Sequence, residues 1–352
     1  MIRDIRLQHF RTYTDASFTF TEGVTIIAGP NASGKTNLLE SILVVARGSS
    51  FKAKDVELVQ HDAAWMRIDA HTEDHTRIIK YKAKPVAQKT FELDEHTVTR
   101  LHESKTLPVV LFEPNHLLLL SGSPELRRSF IDDLIEQSQT GYGATRRHYK
   151  RVLAQRNALL KKNPPNLKEQ LFVWNVRLSE LAGQIVKQRA ALIEQFNSHI
   201  PELYIQLSSR NNIVRLEYAS RFSIENYESQ LLHKLEQNTE LEALRGFTAY
   251  GPHRDDLTFY MDDHMLQETA SRGETRTLVL ALKVVELHIL EAARNVRPIV
   301  LLDDVFSELD TERRHALTRY IRDYQSFITT TDADVLTEYF SAATDSIITT
   351  AN

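Results

Sequence analysis

The stretch with the clearest chemical meaning is the loop Gly29–Thr36, whose sequence is Gly-Pro-Asn-Ala-Ser-Gly-Lys-Thr. It fits the pattern G-x-x-x-x-G-K-[ST], in which backbone N–H groups and the lysine cradle phosphates. In the same pattern the threonine hydroxyl is placed to ligate Mg²⁺. We therefore predict that ATP and Mg²⁺ bind here, with Lys35 acting on the β- and γ-phosphates and Thr36 on the metal. The candidate nucleotide-binding residues are Gly29, Pro30, Asn31, Ala32, Ser33, Gly34, Lys35, Thr36 and Asn37.

Two adjacent carboxylates provide candidate partners for this loop. Asp303 and Asp304 follow the aliphatic run Ile299–Leu302. Asp303 is the predicted second magnesium ligand, opposite Thr36. Asp304 is expected on the other side of the strand end, where it would orient or deprotonate the attacking water. The alternative is that the pair merely marks a turn at the end of a strand.

A third candidate site is the segment Ser271-Arg272-Gly273-Glu274, which precedes a long apolar helix. The order phosphate loop, insertion, Ser-x-Gly-Glu helix start and acidic strand is the plan of ABC ATPases. A serine hydroxyl and a glycine amide at a helix N-terminus form an anion site. In such ATPases this anion site cannot reach the ATP that is bound to the phosphate loop of its own subunit. We therefore predict a head-to-tail homodimer in which Ser271, with Gly273 and Glu274, caps the γ-phosphate in trans.

The elements around these residues predict an α/β head whose parts lie at both ends of the chain. A β-branched strand over Val24–Ala28 precedes the loop, and an amphipathic helix follows it. Charged and apolar residues alternate between residues 65 and 100, as in antiparallel strands with one wet face. We predict an N-terminal part of the ATPase head at 1–123, a helical arm at 124–240 and a C-terminal part of the head at 241–352.

The inserted arm is predicted to contain a helical hairpin. Apolar residues spaced three and four positions apart, with Gln188 interrupting one position, indicate its seam. They are Leu171, Trp174, Leu178, Leu181, Ile185, Leu192 and Phe196. The segment Asn163–Asn166 contains two prolines and is the predicted turn. At 1.5 Å per residue, each helix is expected to reach roughly 45 Å at most.

The first helix of this hairpin carries charges of one sign. Between Gly141 and Lys168 it contains no Asp or Glu, although the whole chain has a formal net charge of -4. Such a run is often a solvated face, but here it is also the best candidate for contact with a DNA backbone. The candidate DNA-binding residues are Arg146, Arg147, Lys150 and Arg151.

The composition sets further limits on function. The chain has 352 residues, of which 42% are hydrophobic, and it contains no cysteine. Disulfides, thiolate metal sites and cysteine nucleophiles are therefore excluded. There is neither a signal peptide nor a run of about 18 apolar residues. We expect a cytoplasmic protein that makes no use of a membrane.

Beyond these motifs, the chain resembles the RecF family of bacterial recombination-mediator ATPases, within the SMC-like ABC class. The stretches that carry the resemblance are 7–13, 29–40, 111–114, 122–124, 127–132, 251–257, 271–282 and 301–310. The resemblance implies a two-lobed ABC head with a short helical arm, ATP-dependent dimerisation and slow, DNA-stimulated ATP hydrolysis. It also implies binding to double-stranded and gapped DNA, and a role with RecR and RecO in helping RecA load at single-strand gaps.

The chain departs from the family pattern at several positions. Glu274 stands where the family usually has glutamine. Ser49 stands where an arginine is common, and Asn115 and His116 replace an acidic pair. Two alternatives remain open at this stage. One is an SMC-type structural DNA clamp that uses ATP only to dimerise. The other is a transporter ATPase subunit, which the large arm and Thr331, in place of a switch histidine, disfavour.

Overall fold

The computed structural model describes residues 1–208, 210–332, 339–340 and 346–350. Its strands begin with β1 (Ile2–Phe10), β2 (Tyr13–Thr19), β3 (Val24–Ala28), β4 (Trp65–Thr72), β5 (Thr76–Lys82), β6 (Gln88–Leu93), β7 (His96–Val98) and β8 (Val109–Phe112). They continue with β9 (Val214–Ala219), β10 (Asp256–Met261), β11 (His264–Met265), β12 (Ile299–Asp303), β13 (Ser326–Thr330) and β14 (Ser346–Thr349).

The helices connect these strands. They are α1 (Lys35–Arg47), α2 (Leu118–Ser121), α3 (Pro124–Ser138), α4 (Tyr142–Lys162), α5 (Leu167–Ser208), α6 (Tyr227–Gln237), α7 (Thr239–Arg245), α8 (Leu266–Thr269), α9 (Arg272–Arg294) and α10 (Thr311–Ile321). By its internal contacts the chain divides into two units. The first comprises Met1–His116 and Glu286–Asn352, and the second comprises Leu117–Val285.

The first unit contains a five-stranded sheet in the order β14-β3-β13-β12-β8, and all its strand pairs are parallel. Its central strands are buried along almost their whole length, which explains why β3 and β12 are β-branched or aliphatic at nearly every position. The carboxyl ends of parallel strands meet at one edge of a sheet. The loop after β3 and the carboxylates after β12 therefore emerge on the same edge, separated by β13.

A six-stranded antiparallel sheet, in the order β2-β1-β4-β5-β6-β7, completes the first unit. Buried and partly exposed residues alternate along β5, as expected when only one face of the sheet is covered. The inward residues of this sheet share a hydrophobic core with α1 and with the parallel sheet, including Leu7, Leu39, Ile68, Leu301 and Phe327. The predicted meander between residues 65 and 100 is confirmed.

The second unit contains the predicted helical hairpin, formed by α4 and α5 with a turn over residues 163–166. The seam residues of α5 are buried except for Trp174, which is half-buried. The predicted upper limit of length was wrong. Helix α5 has 42 residues, and at 1.5 Å per residue it is about 63 Å long. It is longer because it continues through Pro201 to Ser208.

The second unit also contains a three-stranded antiparallel sheet, in the order β11-β10-β9. Strand β9 pairs with β10, and Tyr218 lies opposite Leu257. This pairing joins residues on both sides of position 240, where the composition had placed a domain boundary. The three segments proposed from the sequence thus differ from the two contact-based units, and they stay a prediction of domain organisation. Within the described residues, no helix combines the length and the apolar character needed to cross a membrane.

Candidate functional site

The phosphate loop has a backbone conformation that its glycine at position 34 makes possible. Gly34 immediately precedes α1 and has φ of 94°, in the left-handed region. A Cβ atom at this position would lie 2.9 Å from Thr12 Oγ1 and 3.0 Å from the Tyr13 hydroxyl. Both the dihedral angle and the neighbours therefore favour glycine. The motif glycine lets residues 12 and 13 pack directly against the loop.

Lys35 places its positive charge at the opening of this loop. Its ammonium donates to the carbonyl oxygens of Gly29, at 2.8 Å, and Pro30, at 2.7 Å. The residue is 9% exposed. A compact cation held at this position is suited to attract phosphate oxygens, and an ammonium has three donors with which to bind them.

Thr36 and Asp303 meet at the centre of the site. The Thr36 hydroxyl donates to Asp303 Oδ1 at 2.8 Å. The same carboxylate oxygen accepts a 2.9 Å hydrogen bond from the hydroxyl of Thr329, a buried residue of β13. Hydroxyl and carboxylate oxygens are the hard ligands that Mg²⁺ prefers, usually together with phosphate oxygens and water. The two predicted magnesium ligands therefore fit that ion.

Asp304 adopts a strained backbone beside this pair. Its φ is 53°, which is uncommon for a residue other than glycine. Its N–H donates to Thr329 Oγ1 at 2.9 Å, and its carbonyl accepts from Ser307 Oγ at 2.7 Å. Because the backbone turns at this point, the alternation of side chains along a strand does not apply to Asp304. The expectation that Asp304 lies on the other side of the strand end from Asp303 therefore had no basis in the folded backbone. Asp303 and Asp304 both line one cavity of about 190 Å³ together with the phosphate loop.

Sequence reasoning missed Thr329, which holds both aspartates. Its hydroxyl contacts the side chain of Asp303 and the backbone of Asp304. A threonine within a β-branched strand carries no motif, so only the register of β13 beside β12 could have identified it. That register places Thr329 opposite Asp303.

Residues 11–13 hold the phosphate loop and its helix from the neighbouring sheet. Arg11 binds the buried carboxylate of Glu40 on α1 through two hydrogen bonds, at 2.8 and 3.0 Å. Ser50 donates a further hydrogen bond to the same carboxylate. Tyr13 donates to Gly34 O at 3.1 Å, and burial raises the pKa of this tyrosine to about 12. Arg11 thus acts on the helix that follows the loop.

Ser271, Gly273 and Glu274 lie in the second unit at the start of α9. The Ser271 N–H donates to Glu274 Oε2 at 2.8 Å, and the Glu274 N–H donates to Ser271 Oγ at 3.3 Å. This reciprocal pair is a capping box. The backbone N–H of Ser271 lowers the pKa of Glu274. The glutamate that departs from the family pattern therefore caps the helix, and Ser271 is exposed.

The basic helix α4 differs from its sequence-based interpretation. Arg146 forms ion pairs with Asp132, Asp133 and Glu136 of α3, at 3.1 to 3.3 Å. Arg147 also pairs with Glu136, at 3.6 Å. These carboxylates pair with the first two of the four candidate DNA contacts, of which Arg147 keeps a side chain that is 42% exposed. They belong to another helix, and for that reason the charge run of α4 alone did not reveal them.

Further along α4, Arg156 is completely buried and pairs with Glu242 of α7 at 2.7 Å. Lys150 and Arg151, in contrast, are exposed. Neither of them forms an ion pair in the part of the chain that the structure describes. Tyr149 of the same helix bonds to His253 at 2.6 Å, and the next residue, Arg254, is exposed.

Comparison with known proteins agrees with this geometry. The family model for the RecF/RecN/SMC N-terminal domain matches residues 1–350. The DNA replication and repair protein RecF of Heliobacterium modesticaldum is 34% identical over 346 residues, which are 94% of this chain and 92% of that protein. RecF of Acetivibrio thermocellus is 31% identical over 343 residues, which are 94% of this chain and 93% of that protein.

Solved structures give the same result at the level of the fold. The recombination mediator protein RecF of the RecFOR pathway, solved with ATPrS, has a TM-score of 0.86 and 28% identity. The match covers 94% of this chain and 92% of that one. An Smc head bound to the C-terminal winged-helix domain of ScpA is similar in fold, with a TM-score of 0.55 and 17% identity, covering 99% of this chain and 94% of that one. The predicted class, an α/β ABC-type head, is confirmed.

Proposed function

The chain belongs to the RecF family, within the RecF/RecN/SMC N-terminal domain family, and from this membership we propose that it is an ATP-dependent DNA-binding recombination mediator. It binds ATP with Mg²⁺, dimerises, and hydrolyses the nucleotide slowly. Solved structures of RecF with ATP and with ATPrS support the choice of nucleotide.

The observation that carries this proposal is the contact between Thr36 and Asp303 beside Lys35. It brings the hydroxyl of the phosphate loop and the acidic strand end to within 2.8 Å of each other. Mg²⁺ bound there would neutralise the charge that develops on the transferring phosphoryl group. Lys35 binds the β- and γ-phosphates, and Asp304 accepts a proton from the attacking water. Thr329 keeps the two aspartates in position.

We place the second half of each nucleotide site on a partner copy of the chain. Ser271 is exposed at the N-terminus of α9, where the helix dipole favours an anion. Ser271 and Gly273 cap the γ-phosphate bound by the other subunit, and Glu274 holds the capping turn. This arrangement makes dimerisation dependent on ATP.

Duplex and gapped DNA are the proposed substrates of the second unit. Of the four candidate contacts, Lys150 and Arg151 are exposed and form no ion pair within the described residues, and Arg254 adds a third exposed cation. When unpaired cations bind phosphates, counterions are released from the DNA. Such cations therefore supply affinity for DNA without sequence preference. By family membership, the partners are RecR and RecO, RecA is loaded downstream, and the reaction takes place in the cytoplasm.

Sedimentation with and without ATP, in the presence of duplex or gapped DNA, tests this function. We expect a dimer only with ATP, and a larger complex when DNA is added. A protein that remains monomeric at saturating ATP would contradict the proposal. A single-turnover hydrolysis assay separates the ATPase from a structural clamp, because a clamp that uses ATP only to dimerise would retain the nucleotide.

A further inference from the structure

The phosphate loop has a contact that its motif does not require. Strand β14 lies parallel to β3 at the edge of the sheet, with Thr349 opposite Ala28. The next residue, Thr350, extends this ladder because its N–H donates to Ala28 O at 2.9 Å. Thr350 is 5% exposed. It therefore lies against the first residues of the loop, where β3 ends.

The side chain of Thr350 binds the loop itself. Its hydroxyl donates to Ala28 O at 3.3 Å. A shorter hydrogen bond of 2.7 Å joins this hydroxyl to that of Ser33, and either of the two hydroxyls can be its donor. Ser33 is buried at the centre of the loop. Its side chain is thus bound by the residue that follows the neighbouring strand.

The space around Gly29 shows how closely Thr350 approaches the phosphate loop. A Cβ atom on Gly29 would lie 2.4 Å from Thr350 Oγ1 and 2.6 Å from the Thr350 carbonyl oxygen. Because one of these atoms belongs to the backbone, a side-chain rotation could not relieve the overlap. The first glycine of the motif is therefore required here by its neighbour Thr350. The contact continues along the loop from residue 29 to residue 33.

We propose that Thr350 is a positioning residue of the nucleotide site, holding the phosphate loop in its binding conformation through Ser33. The proposal rests on the function proposed above, because it concerns the affinity of the same site for ATP. A loop whose N–H groups already converge loses less conformational entropy when phosphates bind. Removing one neutral hydrogen bond of this kind should weaken ATP binding about three- to tenfold.

A double-mutant cycle tests this role. Thr350→Val keeps the shape of the side chain but removes its hydroxyl, and Ser33→Ala removes the hydroxyl at the other end of the bond. We expect each variant to weaken the equilibrium binding of a fluorescent ATP analogue about three- to tenfold. The double variant should bind no more weakly than Thr350→Val alone, because both substitutions remove the bond between residues 33 and 350 and only Thr350→Val also removes the bond to Ala28 O. Thr350→Ser should restore the wild-type affinity.

The matched control is Thr349→Val on the exposed face of the same strand. It should bind the analogue as the wild type does, and the melting temperature of nucleotide-free Thr350→Val should match that of this control. Wild-type affinity in Thr350→Val, or additive effects in the double variant, would overturn the proposal. If Thr350→Val does not fold, Ser33→Ala tests the same bond from the loop, and wild-type affinity there overturns it equally. Lys35→Ala separates a failure of the role proposed for Thr350 from a failure of the proposed ATP site. If Lys35→Ala binds the analogue normally, the ATP site itself is wrong.

Discussion

Thr36 and Asp303 are 267 positions apart in the chain, yet the hydroxyl of one donates to the carboxylate of the other at 2.8 Å. The contact forms because β3 and β12 are parallel strands of one sheet and both end at the same edge. Thr329, on the strand between them, binds the same carboxylate oxygen. The site therefore depends on three neighbouring strands, and each of its groups can be tested separately.

Lys35 and Asp304 should have separable effects on binding and on hydrolysis. Lys35→Ala removes the cation at the loop, so the affinity for ATP should fall at least tenfold while the protein stays folded. Asp304→Asn should keep ATP binding and slow hydrolysis by about 10² to 10⁴-fold, because it removes the proposed base. Equilibrium titration and single-turnover hydrolysis measure the two effects. Asp323→Asn, an exposed carboxylate elsewhere in the first unit, is the control. Hydrolysis at the wild-type rate in Asp304→Asn would show that another group is the base.

The exposed cations of α4 should affect DNA binding, whereas the paired ones should affect stability. Replacing both Lys150 and Arg151 with alanine should weaken duplex binding at any sequence. It should also reduce the slope of log affinity against log salt by about 0.9 for each lost phosphate contact. Lys187→Ala, on the exposed face of α5, is the control. Arg146→Ala should instead lower the unfolding midpoint, because it removes the cation that Asp132, Asp133 and Glu136 share. An unchanged salt slope in the double variant would indicate that these cations of α4 form a solvated face and do not contact DNA.

The buried pair between Arg156 and Glu242 should contribute strongly to the stability of the second unit. Arg156→Leu leaves the carboxylate of Glu242 buried without its cation, which should lower the free energy of unfolding by about 3–5 kcal/mol. Arg177→Leu breaks the exposed pair with Glu180, also at close range. It should change stability by less than about 1 kcal/mol. Urea unfolding monitored by circular dichroism measures both. Equal losses of unfolding free energy in the two variants would mean that burial does not determine how much an ion pair contributes to stability.

Ser271→Arg should prevent ATP-induced dimerisation without impairing the phosphate loop of its own subunit. The monomer should still bind ATP, because the bulky guanidinium enters only the proposed interface. Mixed with Lys35→Ala protein, it should partly recover dimer or ATPase activity, because one composite site then has both an intact loop and an intact serine. Sedimentation measures the dimer, with Ser198→Arg on the exposed surface of α5 as the control. If Ser271→Arg dimerises normally with ATP, the trans arrangement is refuted.

His253 should make stability depend on pH between about 6.5 and 4. Burial, together with the nearby cations Arg254 and Arg128, lowers the pKa of this histidine to about 4. The unfolded chain, with an ordinary histidine pKa, binds the proton at a higher pH than the folded protein does. Stability is therefore fully present above about pH 6.5 and is lost as the pH falls. His253→Gln should remove about 2 kcal/mol of the loss between pH 7 and pH 5.

Urea unfolding of the wild type and of His253→Gln at both pH values measures this difference. Carboxylates also titrate in this range, so the informative quantity is the difference between the two proteins. If both lose the same amount of stability on acidification, His253 is not the group that couples pH to folding.

The local features of the nucleotide site could be predicted from the sequence. The phosphate loop, the strand before it and the helix after it depend on neighbouring residues, whose types and spacing restrict the backbone directly. The hydrophobic seam of α5 was predictable for the same reason, because side chains three and four positions apart share one face of a helix. The predicted length of α5 was wrong, since the helix continues beyond the hairpin to Ser208.

The tertiary structure decided which charges are free and which hydroxyls hold the site. The run of cations on α4 contains no acidic residue, but α3 and α7 supply the carboxylates that bind Arg146 and Arg156. Thr329 lies in β13 and Thr350 directly follows β14, and both resemble ordinary core residues. They reach Asp303 and Ser33 only because strand register places them there. Ion pairing and hydrogen bonding act over a few ångströms of space, whatever the separation along the chain, so these contacts require the folded structure.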